Sequence, residues 1–413
     1  MKTRLFLILM ILAAAFGVSA VELTSIQKFD VKPENSPAVN KVNLQKAIDW
    51  ASDKGAALFV EPSEEPYHVD GGIILKKNVS LIGVHGPTHR GTSHSTKKQP
   101  VGSVFAITDK ENAFITVELG TQIKGIQFWY PEQTIKDPEA IIPYKPTIKV
   151  SQTSRTQGVY LSCLTFYGEY LAFDFNASRE NPCELMTFEH CYGYPLSGEF
   201  IRMDYCYDVP RILHCHVNPA AQRYIGGQFS RAVVDAVIAK KTYAYTINHT
   251  DNAQIIDLFT FGTYGGILLD SESYGQLTNF NFDCVAVGIL KRGSNTKNRN
   301  WQIAQGSIIA NTGEKVQNIH PIIIEGQGHT SLSNVEAFSG GNGALTTVAE
   351  NSSWDYLLVR GDQKLTVSIW GSRMRNYISD SPITVENKEA VIQVVGCFDK
   401  EENAYNKTFG GNN

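Results

Sequence analysis

Residues 183–217, CELMTFEHCYGYPLSGEFIRMDYCYDVPRILHCHV, repeat part of themselves at a fixed interval. Cys183 and Cys206 lie 23 residues apart, and the dipeptide His190-Cys191 returns 24 residues later as His214-Cys215. Self-similarity at a period of about 20 to 50 residues is typical of solenoids, in which each repeat forms one coil. Adjacent coils of a parallel β-helix would stack these cysteines in register. The interval therefore favours a parallel β-helix over a sandwich or a propeller.

The chain on both sides of this stretch consists of short β-rich runs. Examples are residues 57–60, 114–117 and 391–395, and Gly, Pro, Asn and Asp separate such runs. No linker or charge block interrupts the pattern before a polar tail after Lys400. We therefore predict an all-β chain with one domain over residues 21–400, a single right-handed parallel β-helix, followed by a polar tail over 401–413.

One amphipathic helix is predicted near the start of the chain, over residues 42–54. Leu44, Ala47, Ile48 and Ala51 recur at helical spacing, and Gly55 stands where a helix commonly ends. A solenoid exposes the apolar end of its core unless another element covers it. This short N-terminal helix is well placed to be that cap.

The first twenty residues have the pattern of a cleavable signal peptide. Lys2 and Arg4 precede the apolar run 5–16, and small residues follow at 18–20. The mature chain would begin at Val21 and be secreted or periplasmic. No later run approaches the roughly 20 apolar residues of a membrane helix, so membrane insertion is not expected.

The charge balance disfavours a nucleic-acid partner. Without the leader the chain has 35 basic and 41 acidic residues, a net charge of −6. Nucleic-acid binding depends on an excess of Lys and Arg. Local cations could still hold an acidic sugar polymer.

The opening of the mature chain resembles that of the pectate lyase superfamily. The resemblance rests on the helix residues 43–51, on Gly55 and on the runs 57–60, 67–69 and 79–83. Two further phrases, at 125–133 and 207–219, resemble segments of secreted members of this superfamily. The likeness spans about residues 25–400. It implies a right-handed β-helix and the cleavage of pectin-like or other uronic-acid polysaccharides.

The resemblance leaves the reaction open. The polygalacturonase motifs Asn-Thr-Asp, Asp-Asp, Gly-His-Gly and Arg-Ile-Lys do not occur here, and the nearest echo is residues 326–329. A polysaccharide lyase and a glycoside hydrolase both remain, and a lyase could use a divalent cation such as calcium. The alternative from another class is a non-catalytic glycan-binding or structural protein on the same scaffold.

The densest polar cluster lies between Glu199 and His216. Period-two alternation puts His214 and His216 on one face and Cys215 on the other, so an inward Cys215 directs both imidazoles outward. General acid–base chemistry needs carboxyls or imidazoles, and a uronate needs a cation. The sequence accordingly predicts one surface groove whose catalytic residues are Asp204, Asp208, Arg211 and His216. Its predicted substrate-binding residues are Trp129, Tyr130, Glu132 and His214.

Other interpretations of the same residues remain. The charges are also typical of surface ion pairs, and His190, His214 and His216 could approach one another as metal ligands, although no metal site is predicted. Stacked cysteines are expected to be inward thiols rather than disulfides, because in-register parallel strands hold Cβ atoms about 4.8 Å apart. If the inside and outside of the coil are exchanged, Asp270, Glu272 and the turn 130–133 are the next candidates.

Overall fold

The computed structural model describes residues 23–85, 99–225, 227, 229–293, 300–310, 320–338, 355–375 and 379–410. The predicted leader lies outside the described residues. Among the described residues no helix is long and apolar enough to cross a membrane.

The chain is a right-handed parallel β-helix, which confirms the predicted fold class. Three parallel sheets, here I, II and III, run along the axis. Each coil visits sheet I, bends into sheet II, and then crosses to sheet III. The register is regular because successive strands bury alternate residues in one shared core.

Sheet I contains strands whose pairing begins at the N-terminus and continues to the last coil. They are β1 Thr24–Ser25, β2 Ala57–Val60, β5 Ser80–Gly83, β8 Gln122–Lys124, β12 Tyr160–Tyr167, β15 Thr187–Gly193, β18 Arg211–Leu213, β21 Ala253–Ile256, β24 Gly275–Thr278, β27 Asn300–Ala310, β29 Gly328–Phe338, β31 Leu365–Trp370, β33 Ala390–Phe398 and β34 Ala404–Phe409.

Sheet II shares the long strands β12, β15, β27 and β29 with sheet I. Its other members are β3 Tyr67–His68, β6 Val104–Ala106, β9 Gln127–Trp129, β19 His216–Val217, β22 Phe259–Phe261 and β25 Asn281–Val285. A small sheet lies between sheets III and I and comprises β11 Thr156–Gln157, β14 Cys183–Glu184 and β17 Cys206–Tyr207.

Sheet III has eleven strands in the described part of the chain. They are β4 Ile73–Leu75, β7 Ile115–Val117, β10 Ile148–Val150, β13 Phe173–Asn176, β16 Ile201–Asp204, β20 Tyr243–Ile247, β23 Gly265–Leu269, β26 Val287–Lys291, β28 Ile322–Ile324, β30 Leu357–Val359 and β32 Ile383–Val385.

In the middle coils the bend between sheets I and II is made by a single residue with positive φ. This residue turns the strand without interrupting the ladder, because a left-handed conformation reverses the pleat locally. Cys163 (φ 53°), His190 (φ 51°), His214 (φ 55°) and Asp257 (φ 57°) hold the position in successive coils. A side chain at this bend points outward regardless of strand alternation.

The stacked cysteines lie where the repeat predicts. Cys183 pairs in register with Cys206 on parallel strands, and both are buried. Cys191 and Cys215 are also buried, and all seven cysteines are free thiols. The inward orientation of Cys215 and the expectation of thiols are therefore confirmed.

The N-terminal helix α1 spans Pro37–Lys54, five residues longer at its start than predicted. Ser36 caps it by accepting from the backbone N–H of Val39, and Pro37 occupies the first turn, where its missing donor costs nothing. Leu44, Ala47, Ile48 and Ala51 are buried against the first coils.

Two elements differ from expectation. A second helix, α2 Arg231–Ala239, packs on the outside of the coils through Val233 and Val237, and the sequence analysis missed it. The predicted polar tail contains strand β34, which pairs antiparallel with β33. Backbone hydrogen bonding orders this segment although most of its side chains are exposed.

Candidate functional site

A cleft of about 730 Å³ lies on the outer face of sheet III. Its floor is a row of outward-facing side chains that are in register from strand to strand, Leu290, Ile323 and Leu358 among them. These three side chains are only 5–6% exposed, although their neighbours along each strand already fill the core. They form an apolar cluster with Tyr243 and Val287 that is separate from the core.

One rim of the cleft carries residues that precede the strands of sheet III. Lys241, Tyr264, His320, Asp355 and Ser379 occupy this rim. The ring of Tyr264 meets the ring of Tyr243 on the floor edge to face, with centroids 6.0 Å apart and planes at 88°. Such rings present apolar faces and polar hydroxyls to the same ligand.

His320 and Asp355 are the buried ionisable groups of this rim. Burial lowers the pKa of His320, and the nearby Asp355 carboxylate opposes that shift only in part, so the imidazole is neutral at pH 7. Its Nδ1 atom is buried and has no hydrogen-bond partner among the described residues. The Ser379 hydroxyl donates to Asp355. A neutral, desolvated imidazole beside an oriented carboxylate can accept a proton from a ligand.

The opposite rim carries residues that follow the same strands, and their charges alternate from coil to coil. They are Asp270, Arg292, Glu325, Arg360 and Glu386. The backbone N–H of Arg292 donates to Leu269 O at 2.9 Å, and that of Glu386 donates to Val359 O at 2.8 Å, so the parallel ladder continues through this rim.

Each arginine of this rim pairs with the carboxylate one coil before it. Arg292 Nε lies 3.0 Å from Asp270 Oδ2, and Arg360 Nε lies 2.6 Å from Glu325 Oε2. The hydrogen bond that each guanidinium donates to its carboxylate partner is the main cause that raises the pKa of the guanidinium. Both arginines are substantially exposed and line the cleft, so they keep further N–H groups for a ligand.

The dimensions of the cleft suit an elongated ligand. The rims are separated by strands of about three residues, or roughly 10 Å, and the floor from β20 to β32 spans five strand spacings, or roughly 24 Å. An apolar floor between rims of donors and acceptors is typical of small-molecule and oligomer sites.

The predicted catalytic residues do not share one groove. Asp204 ends β16 in sheet III, Arg211 begins β18 in sheet I, and His216 begins β19 in sheet II. Asp208 lies in an exposed turn between sheets III and I, with φ 55°. These thirteen residues, about half of a coil, carry the chain from the end of sheet III through sheet I to the start of sheet II, so residues close in sequence lie on different faces.

His214 and His216 both point outward, as expected, but not toward the cleft. His214 occupies the bend between sheets I and II, stacks on His190 with ring centroids 4.7 Å apart, and places Nδ1 2.8 Å from Asp257 Oδ2. His216 stacks on Phe259 in sheet II, with centroids 4.3 Å apart. Among the described residues no group of three or more His, Cys, Asp or Glu could hold a metal ion.

The other predicted binding residues are dispersed. Tyr130 is buried, its hydroxyl lies 2.6 Å from Thr147 Oγ1, and burial strongly raises its pKa, so it cannot be the expected surface platform for a sugar. Trp129 faces the other way and is partly exposed. Glu132 is exposed and pairs with Lys110 Nζ at 2.9 Å.

Sequence reasoning missed the residues that line the cleft. Asp270, a reserve candidate, does not line the cleft but pairs with Arg292, which does. The available signal was a set of apolar triplets that each end before a charge, as in Ile322–Ile324 before Glu325 and Leu357–Val359 before Arg360. A strand that is apolar on both faces is buried on both.

Comparisons with known proteins identify the fold. The chain matches no family model and no curated protein. Among solved structures, a mutant DFA-IIIase from Arthrobacter chlorophenolicus A6 in complex with DFA-III has a TM-score of 0.57 and 11% identity, over 93% of this chain and 96% of that chain. The same enzyme in complex with GF2 has a TM-score of 0.52 and 12% identity, over 92% and 96%.

A protein of a bacteriophage has a similar fold. The pre-mature gene product 12 of bacteriophage phi29 has a TM-score of 0.50 and 12% identity, over 94% of this chain and 58% of that chain. At these identities the likeness shows the fold alone, and a function must be argued from the site.

Proposed function

We propose that the protein is a carbohydrate-active enzyme that binds an acidic polysaccharide in the cleft on sheet III and cleaves it as a lyase. The observation that carries this proposal is the composition of the cleft. An apolar floor with Tyr243 separates a rim with Tyr264 and a neutral buried imidazole from a rim with two arginines. A sugar ring offers an apolar C–H face to the floor and hydroxyls to both rims.

The chemistry of a uronate fits this division. Arg292 and Arg360 would hold the sugar carboxylate, because a guanidinium keeps free N–H donors while one carboxylate already occupies it. Neutral His320 would take the proton from the carbon beside that carboxylate. The electron pair of that C–H bond forms a C=C bond, the glycosidic C–O bond breaks, and the departing oxygen takes a proton from water.

A glycoside hydrolase is the second candidate, and Asp355 and Glu386 favour it. They lie on opposite rims of the cleft, as two carboxyls that flank a glycosidic bond must. Support for a carbohydrate ligand also comes from the DFA-IIIase complexes, since that protein binds DFA-III and GF2 on the same fold. A glycan polymer outside the cell would agree with the predicted leader.

A panel of pectic, glycosaminoglycan and neutral polymers tests the proposal. We expect new absorbance near 235 nm with a uronate polymer, whereas new reducing ends without absorbance would identify a hydrolase, and retention without either would identify a binding protein. We expect His320→Gln to abolish turnover and Arg360→Ala to raise KM. Arg211→Ala, which removes a guanidinium from sheet I, is the matched control and should leave turnover and KM unchanged. Activity confined to neutral glycans, or unaltered in both cleft variants, would contradict the proposal.

A further inference from the structure

The corner where sheet III ends carries a second cluster beside the cleft, made of Asp204, Tyr205 and His249. His249 Nδ1 lies 2.8 Å from Asp204 Oδ1, and the ring of His249 stacks on that of Tyr205 with centroids 4.4 Å apart and planes at 3°. A carboxylate only accepts, so Nδ1 carries the proton of this bond. The imidazole is thereby held in one orientation, and Nε2 remains for another partner.

The two rings occupy a backbone position with positive φ. Tyr205 (φ 51°) and His249 (φ 33°) stand there in adjacent coils, Ser271 (φ 50°) stands there in the next coil, and two later coils have Gly326 (φ 81°) and Gly361 (φ 93°). A left-handed conformation costs a residue with a side chain about 1 kcal/mol or more that glycine avoids. Large side chains are thus retained in these coils at a conformational cost.

This cluster is continuous with the charged rim of the cleft. The backbone N–H of Asn248 donates to Met203 O, that of Asp270 to Ile247 O, and that of Arg292 to Leu269 O, each at 2.9 Å. His249, one residue beyond Asn248, therefore lies two strand spacings from the coil of Arg292, or roughly 10 Å along the axis. Burial works to raise the pKa of Asp270, but the hydrogen bonds from Arg292 and from the backbone of Ser271 lower it overall, and the neighbouring His249 adds to that lowering.

We infer that Asp204, Tyr205 and His249 form an additional sugar-binding subsite, which engages a glycan chain that extends beyond the N-terminal end of the cleft. This inference rests on the proposed function and adds to it that the substrate is a polymer longer than the cleft. The side chains of His249 and Asp204 are 29% and 26% exposed, which leaves an edge of the imidazole for a sugar hydroxyl while Asp204 fixes the ring. The stacked tyrosine limits the ring to one plane.

Dependence on ligand length tests this subsite. The probes are a trisaccharide and an octasaccharide of galacturonate, bound in a His320→Gln background with the ligands checked as intact by mass spectrometry. We expect His249→Gln to weaken octasaccharide binding about tenfold, because one hydrogen bond to the sugar is lost. Trisaccharide binding should be unchanged, because this shorter ligand stays within the cleft. Asp204→Asn should weaken octasaccharide binding less, since it only frees the ring.

The chain supplies a matched control on another face. His214 is also paired through Nδ1 with a carboxylate at 2.8 Å and stacked on a ring, but at the bend between sheets I and II. His214→Gln should change neither affinity. In the His320→Gln background, acylation of His249 by diethyl pyrocarbonate should be slowed by the octasaccharide and not by the trisaccharide, which tests the inference even if a His249 variant fails to fold.

Three outcomes overturn the subsite: equal weakening of both ligands, no weakening of either, or acylation of His249 that the octasaccharide does not slow. The proposed function fails separately. The proposed function is contradicted if no uronate glycan of the panel binds, or if Arg360→Ala does not weaken the binding of the one that does. The proposed function stands, and the subsite alone fails, if Arg360→Ala weakens trisaccharide binding while His249→Gln changes the affinity for neither ligand.

Discussion

At the scale of single residues, Glu169 is the ionisable group whose placement is least favourable to its charge. It is fully buried in the turn after β12, and neither carboxyl oxygen has a well-formed hydrogen bond in the described part of the chain. Burial raises the pKa of Glu169 to about 8, and the backbone N–H groups of Glu169 and Tyr194 offset this only in part. The carboxyl is therefore protonated in the folded protein at pH 7.

This burial predicts that the protein loses stability as the pH rises. The folded pKa exceeds the unfolded value of about 4.3, so the contribution is fully present below pH 4.3 and is lost as the pH rises toward about 8. Glu169→Gln removes the titration and should raise the free energy of unfolding at pH 8 by a few kcal/mol, at about 1.4 kcal/mol per pKa unit, with little change at pH 4. Urea unfolding at both pH values measures it, with the exposed Glu132→Gln as control. An equal effect at both pH values would refute the assignment.

At the scale of elements, the N-terminal helix is attached through a buried amide. Asn40 is fully buried, its Nδ2 donates to Lys32 O at 2.7 Å and to His68 O at 2.9 Å, and its Oδ1 accepts from the backbone N–H of Lys32 at 2.9 Å. The side chain thus ties the helix to the segment before it and to the first coil. Within the same helix Asn43 is only half-buried, and its side chain donates to Asp30 O at 2.9 Å.

We expect Asn40→Ala to lower the free energy of unfolding by about 2 to 4 kcal/mol, because three backbone groups lose their buried partner. Asn43→Ala is the matched control on the same helix, and its effect should be less than about 1 kcal/mol. Thermal and urea unfolding of both variants compare them. Similar losses in the two variants would mean that apolar packing alone holds the cap.

The strands and turns also show which structural features could be predicted from the sequence. The interval between Cys183 and Cys206 predicted their register because stacking in one core requires equal coil lengths. The face of a side chain was harder to predict. His214 lies at a left-handed bend, where period-two alternation no longer determines direction. Adjacent Trp129 and Tyr130 face opposite ways, and the sequence did not show that Tyr130 is the buried one.

At the scale of the whole molecule, the sequence predicted the solenoid, but the residues that it proposed for one groove lie on three different sheets. In a solenoid, residues at the same position of successive coils become neighbours along the axis. Residues that are close in sequence are instead distributed over different faces. The cleft residues Tyr264, His320 and Asp355 belong to three different coils. Only the register of sheet III, which local patterns do not give, makes them neighbours.

The most direct test of the account is to fill the floor of the cleft. Leu358→Trp replaces an aliphatic side chain of the floor by an indole beside Ile323, without altering either rim. Titration calorimetry with the glycan identified by the panel should show affinity weakened at least about tenfold with an unchanged melting temperature, since the indole would cover the part of the floor on which a sugar ring is proposed to pack. Ser368→Trp, on sheet I, should bind as the parent does. Unchanged affinity in Leu358→Trp would contradict the claim that the glycan binds on the outer face of sheet III.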